Sequence, residues 1–182
     1  MVNVVILLAD GFEEAEALVP ADLLKRAGAD VRLVSIDGLD MVTGSHQFRI
    51  GADCSIDQVN REQLSCVILP GGKHGTSLLD CNVRVHSLIQ SAVARGIYIA
   101  AICAAPSVLG HMGLLDGRRF TCYPGFETEI PNGIHSENRV ERDDIFITAE
   151  GMGVSDEFGF TLIRLLFGEE KEMEIRTQVR HS

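Results

Sequence analysis

Residues 2–27 read VNVVILLADGFEEAEALVPADLLKRA. The run Val2–Leu8 is almost wholly apolar and rich in β-branched residues, the composition of a strand covered on both faces. Asp10-Gly11 then signals a turn, and Glu13–Ala27 carries helical spacing. The same alternation recurs along the chain. Apolar runs at Val31–Ile36, Cys66–Leu69 and Ile97–Ala101 end in Asp37-Gly38, in Pro70-Gly71-Gly72 and in a turn at Cys103 ahead of Pro106. Helical stretches follow at Val83–Arg95 and Asp156–Phe167. Strands alternating with helices through short loops predict an α/β fold on a mostly parallel sheet with helices on both faces. Gln47–Cys54, Arg118–Cys122, Arg139–Glu141 and Ile145–Thr148 are expected as further strands, some antiparallel or at an edge because polar residues alternate within them.

The composition narrows the classes open to this chain. At 182 residues with 46% apolar and 23% charged side chains, it is large enough for one well-buried domain and too apolar for wholesale disorder. No repeat or linker interrupts residues 1–168, read as a single domain. Residues 169–182 are charged and weakly apolar, and read as a helical extension or a fraying tail. A net charge of −10 argues against a nucleic-acid partner. The lack of an eighteen-residue apolar run argues against a membrane span. The N-terminus has neither a basic region nor a cleavage signal before its strand, which is not the pattern of a signal peptide. Five cysteines without a CxxC pair fit neither a disulfide framework nor a zinc ribbon, so the expected setting is reducing and cytoplasmic, without metal.

In a sheet of this kind ligands lie beyond the carboxyl ends of the strands, which directs attention to Asp10–Glu16, Pro70–Thr76, Ile102–Pro106 and Cys122–Gly125. Ile97–Ile102 runs directly into Cys103, with Ala101 and Ala105 two residues to either side and Pro106 suited to a first helical turn. This is the pattern of a nucleophile elbow, and a helix N-terminus there is expected to favour the thiolate. A buried cysteine packed as a small hydrophobe fits the same turn. Cys54, Cys66 and Cys122 sit at strand ends and read as packing; Cys81 precedes a helix. On the first helix Glu16 falls within the arc of Phe12, Val19, Leu23 and Ala27, while Glu13 and Glu14 point elsewhere. A carboxyl on a core face must be paired or protonated, as a general acid–base requires. Pro70-Gly71-Gly72 matches neither a P-loop nor a dinucleotide fingerprint, but Gly72 N–H and Ala104 N–H suit an oxyanion hole.

Taken together, Phe12-Glu13-Glu14-Ala15-Glu16, Leu69-Pro70-Gly71-Gly72 and Ala100–Pro106 resemble the ThiJ/PfpI superfamily, in its protein-deglycase branch. The similarity continues through Ala21–Gly28, Ser136–Val140 and Gly151–Leu166. It implies a flavodoxin-like three-layer sandwich and a homodimer. It also implies Cys103 as an oxidisable nucleophile, Glu16 as its protonated partner, and Gly72 with Ala104 as oxyanion donors. Gly71, His74 and Tyr123 are the candidate pocket residues. Arg26 matches an interface arginine of the family, while His46 stands where relatives carry another. Tyr123 stands where several members place a histidine, which weakens an amidase or peptidase reading. The resemblance implies a cofactor-free enzyme acting on a small reactive carbonyl or a glycated protein, converting 2-oxoaldehydes to 2-hydroxy acids. The alternatives are a redox-sensing stress chaperone in which Cys103 becomes a sulfinate, and a flavodoxin-like binding module.

Overall fold

The apolar runs become the strands of one sheet in the computed structural model, which describes residues 1–181. In chain order the strands and helices are β1 (Asn3–Leu8), α1 (Glu14–Ala27), β2 (Asp30–Ser35), β3 (Met41–Thr43), β4 (Arg49–Gly51), β5 (Cys54–Ser55), β6 (Cys66–Leu69), α2 (Lys73–Cys81), α3 (Val83–Ala94), β7 (Tyr98–Ile102), α4 (Pro106–His111), β8 (Arg119–Phe120), β9 (Ile134–His135), β10 (Val140–Asp143), β11 (Phe146–Ala149), α5 (Ser155–Phe167) and α6 (Glu169–Gln178). Among the described residues the main sheet has seven strands in the order β10-β11-β7-β6-β1-β2-β5. All neighbours are parallel except β10, an antiparallel edge strand on β11. The central run β2-β1-β6-β7-β11 follows the 2-1-3-4-5 order of flavodoxin-like sheets, so the topological switch point falls between β1 and β6.

Strand alternation divides the core into two layers. Val5, Leu7, Val67, Leu69, Ile99 and Ala101 face the helices α2, α3 and α4. Val4, Ile6, Leu8, Ile68, Ala100 and Ile102 face α1, α5 and α6. The central strands β1, β6, β7 and β11 are dry on both faces, which is why their sequences lack a polar alternation. Asn82 starts α3 by accepting hydrogen bonds from the backbone of Arg84 and Val85, and Gly28 ends α1 at φ 98°, a left-handed C-cap.

Three expectations need correction. Residues 73–76 are not loop: α2 begins immediately after Gly72, itself at φ 88°. Gln47–Cys54 is not one strand. β4 pairs with β3 in a separate hairpin, and only β5 reaches the main sheet, beside β2. The break falls at Asp53, whose carboxylate and N–H both bond the backbone of Leu33. Arg118–Cys122 contributes only β8, which pairs in parallel with β9 outside the main sheet. The charged extension is helical to Gln178, docked through Ile175 and the buried Glu172; Ser182 lies outside the described residues.

Candidate active site

Strand register brings the site together. Leu69 pairs with Ala101, and Ala149 pairs with Ile102, so the segments after β6, β7 and β11 leave the sheet side by side. Cys103 continues the ladder for one residue, donating its N–H to the Ala149 carbonyl at 2.9 Å. Its own carbonyl accepts from Tyr123 N–H at 2.9 Å. Between these anchors the backbone takes φ 64° at Cys103, a conformation that costs a non-glycine residue roughly 1–2 kcal/mol. Ala101, Ala104 and Ala105 are fully buried around it; larger side chains there would fill the turn. Ala105 N–H closes the bend onto the Ile102 carbonyl, and Pro106 opens α4.

Gly71 separates Cys103 from Glu16. A methyl group at this position would lie 2.6 Å from both the Cys103 Cβ and the Glu16 Oε2. Gly71 N–H donates to Glu16 Oε2 at 2.8 Å, and Gly71 C=O accepts from Glu13 N–H at 3.0 Å. The start of α1 is thereby fastened to the end of β6. Gly72 needs its positive φ and its bareness alike, since a Cβ would sit 2.3 Å from the Gly11 carbonyl oxygen.

Glu16 is 1% exposed. Burial raises its pKa to about 7, aided by the charge of Glu13. The Gly71 N–H and, as weaker polar contacts, the Cys103 thiol and Met152 N–H pull it down. Burial also raises the Cys103 thiol, to about 12, together with the charge and hydrogen bonding of Glu16. The N–H groups of Gly72 and Ala104 act in the opposite direction on that thiol. A thiol lowered by the following helix was expected. The structure reverses that balance, because α4 begins only at Pro106 and burial beside a carboxylate outweighs the nearby N–H dipoles. Above about 7 the pair holds a single proton, since two adjacent buried anions repel.

The other named residues lie around this couple. His74 is exposed on the first turn of α2, where its side chain covers Gly11 and lines a cavity of about 430 Å³ with Asp10, Thr43, Ser45, Gln47 and Lys73. Tyr123 is half exposed and lines a different cavity. Among the described residues no histidine hydrogen-bonds to Cys103; His46, His111 and His181 are paired with carboxylates elsewhere. Arg26 forms an exposed pair with Asp22.

Two features escaped sequence reasoning. Met152 supplies a backbone N–H toward Glu16 from 136 positions away, and no local pattern marks it. Glu14 is buried although it points away from Glu16. Its carboxylate accepts the His46 N–H at 2.8 Å, the His46 ring at 3.0 Å and the Ser45 hydroxyl at 3.2 Å. Burial alone would raise Glu14; these bonds outweigh it and hold the group at about 2. Glu13, Glu14 and His46 are also the one group of the described residues whose donor atoms converge within 4.8 Å, close enough for a metal ion.

Residues 2–165 match the model of the DJ-1/PfpI family. The protein dj-1beta of Drosophila melanogaster is 34% identical over 175 residues, covering 95% of this chain and 94% of its own. A protein named as a deglycase from Pyrococcus horikoshii is 31% identical over 153 residues, covering 84% and 88%. The solved structure of oxidized DJ-1 from Toxoplasma gondii superposes with a TM-score of 0.96 at 32% identity, over all of both chains.

Proposed function

Because the chain belongs to the DJ-1/PfpI family, we propose that it is a cysteine-dependent, cofactor-free enzyme acting on reactive carbonyls, converting 2-oxoaldehydes to 2-hydroxy acids or clearing the same adducts from proteins. The observation that carries this reading is the Cys103–Glu16 couple around Gly71, with the Gly72 and Ala104 N–H groups directed at the thiol. As the Cys103 sulfur bonds to the aldehyde carbon, its proton passes to Glu16, and the aldehyde oxygen becomes an oxyanion held by Gly72 and Ala104 N–H. Glu16 protonates that oxygen, giving a hemithioacetal. The resulting carboxylate removes the C1 proton and returns it to C2, while the proton of the C1 hydroxyl passes to the C2 oxygen, leaving a 2-hydroxy thioester. Water hydrolyses the thioester, releasing the 2-hydroxy acid and restoring the thiol. The sum is addition of one water, with no external oxidant or reductant.

Proton transfer by Glu16 is expected to contribute on the order of 10²–10⁴ in rate. The test is lactate formation from methylglyoxal by the wild type, Cys103→Ala and Glu16→Gln. Both variants are expected to fall by at least the lower end of that range; undiminished turnover in either removes the mechanism. The family and the deglycase name of the archaeal relative support an enzyme of this type.

A redox-sensing role is favoured by a separate observation: the Toxoplasma relative was solved in an oxidized form. A Cys103 sulfinate would gain the same N–H donors and a protonated Glu16. Intact mass after dilute peroxide separates the roles, with two oxygens added at Cys103 in the absence of aldehyde turnover marking the sensor. A cytoplasmic homodimer completes the proposal, and sedimentation at twice the monomer mass is the expected result. A peptidase reading gains no support, since the described residues offer Cys103 no histidine base.

A further inference from the structure

A cavity of about 370 Å³, one backbone hydrogen bond removed from Cys103, is lined by Tyr123, Pro124, Glu150, Gly151, Met152 and Gly153. One of its walls is hydrogen-bonded to the couple, and a second lies close to it. Tyr123 N–H donates to the Cys103 carbonyl, and Met152 directs its N–H toward Glu16. Both side chains are large, apolar over most of their surface and open to the cavity mouth, at 52% and 57% exposure. The only charged lining residue, Glu150, is drawn to Arg139 at 2.7 Å, and Arg139 also reaches the Gly153 carbonyl. Gly151 leaves the floor bare: a Cβ there would meet the edge of the Tyr123 ring at 3.4 Å.

The geometry points to this cavity as the subsite for the side group of the carbonyl substrate, with Tyr123 and Met152 selecting an aromatic or bulky apolar group. This rests on the carbonyl chemistry proposed above and names its substrate class: aryl 2-oxoaldehydes ahead of methyl ones. An aromatic ring fits, since an apolar space of roughly 150 Å³ already accommodates benzene. Tyrosine offers it an edge or a face, and the methionine thioether a polarizable wall. The wild type is expected to favour phenylglyoxal over methylglyoxal in kcat/KM by roughly tenfold, the size of one aromatic contact with its burial.

The experiment measures that ratio for the wild type, Tyr123→Ala, Met152→Ala and Tyr123→Phe. Each alanine variant is expected to lower the ratio several-fold, chiefly through KM for phenylglyoxal, whereas Tyr123→Phe retains the ring and the ratio. A wild-type ratio at or below one, or a ratio that both alanine variants leave unchanged, overturns the subsite while leaving turnover of methylglyoxal intact. Failure of the wild type to turn over either aldehyde defeats the carbonyl reading itself, and this assignment with it.

Discussion

The absence of one methyl group at Gly71 lets a buried carboxyl and a thiol share a proton. Restoring that group in Gly71→Ala forces atoms now 2.6 Å away to move. Aldehyde turnover is expected to drop roughly 100-fold through misplacement of the couple, with far-UV circular dichroism unchanged; full activity in this variant would mean that Glu16 and Cys103 act independently. The proton itself is testable. Glu16 deprotonates at about 7 and Cys103 at about 12, so the singly protonated pair exists between those values. The pH profile of kcat/KM is expected to rise through about 7. In Glu16→Gln any residual activity should lack that limb, because the amide cannot titrate. Cys103 was legible as a candidate because strand, small neighbours and Pro106 are all local in sequence. The state of its proton was not, since burial and the Glu16 charge come from other elements.

At the scale of elements, the hairpin of β3 and β4 is held against the start of α1 by a carboxylate that a helical wheel assigns to no useful face. Glu14 accepts two bonds from His46 and one from Ser45, while Gly11 N–H reaches the Thr43 carbonyl and Ser45 N–H the Phe12 carbonyl. Glu14→Ala leaves the His46 N–H without its acceptor. It is expected to cost roughly 1–3 kcal/mol and to speed hydrogen exchange at the amides of residues 43–46; unchanged exchange there would show the backbone bonds suffice. Helix α6 presents the same lesson. Its sequence shows two apolar residues, Met173 and Ile175, among mostly charged ones, the pattern of a fraying end. In the fold, however, Glu172 is buried between Arg164 and Arg176, and Arg176 lies 4.1 Å above the Phe160 ring while bonding Glu157. Glu172→Gln is expected to lower stability by roughly 1–3 kcal/mol, measured by denaturant unfolding. A change within a few tenths would reduce the network to surface decoration.

Over the whole molecule these carboxyl groups give stability an unusual pH dependence. Glu14, Glu141, Asp156, Glu157 and Glu172 are all held below their ordinary values. Each contributes stability that is present above its unfolded pKa and lost as pH falls through the folded one. Glu16 has the opposite sign. Raised from 4.5 to about 7, it contributes stability that is full below 4.5 and lost as pH rises through about 7, on the order of 3 kcal/mol. Thermal stability is therefore expected to peak near pH 5 and decline toward pH 8, with a shallower decline in Glu16→Gln. An equal decline in that variant would assign the slope to other groups. The pH range that arms the site is the range in which the fold yields stability to it. The sequence by itself determined the alternation of dry strands and helices, the strand-end loops in which to seek a site, and Cys103, Glu16 and the Gly71-Gly72 turn as its candidates, because each is written in spacing and residue type over a few neighbouring positions. Only the tertiary structure decided which N–H groups face the couple, that Glu14 and Glu172 are buried, that β3 and β4 leave the main sheet, and where the shared proton resides. Those outcomes depend on desolvation and on charges brought together from distant segments, and neither exists until the chain has folded.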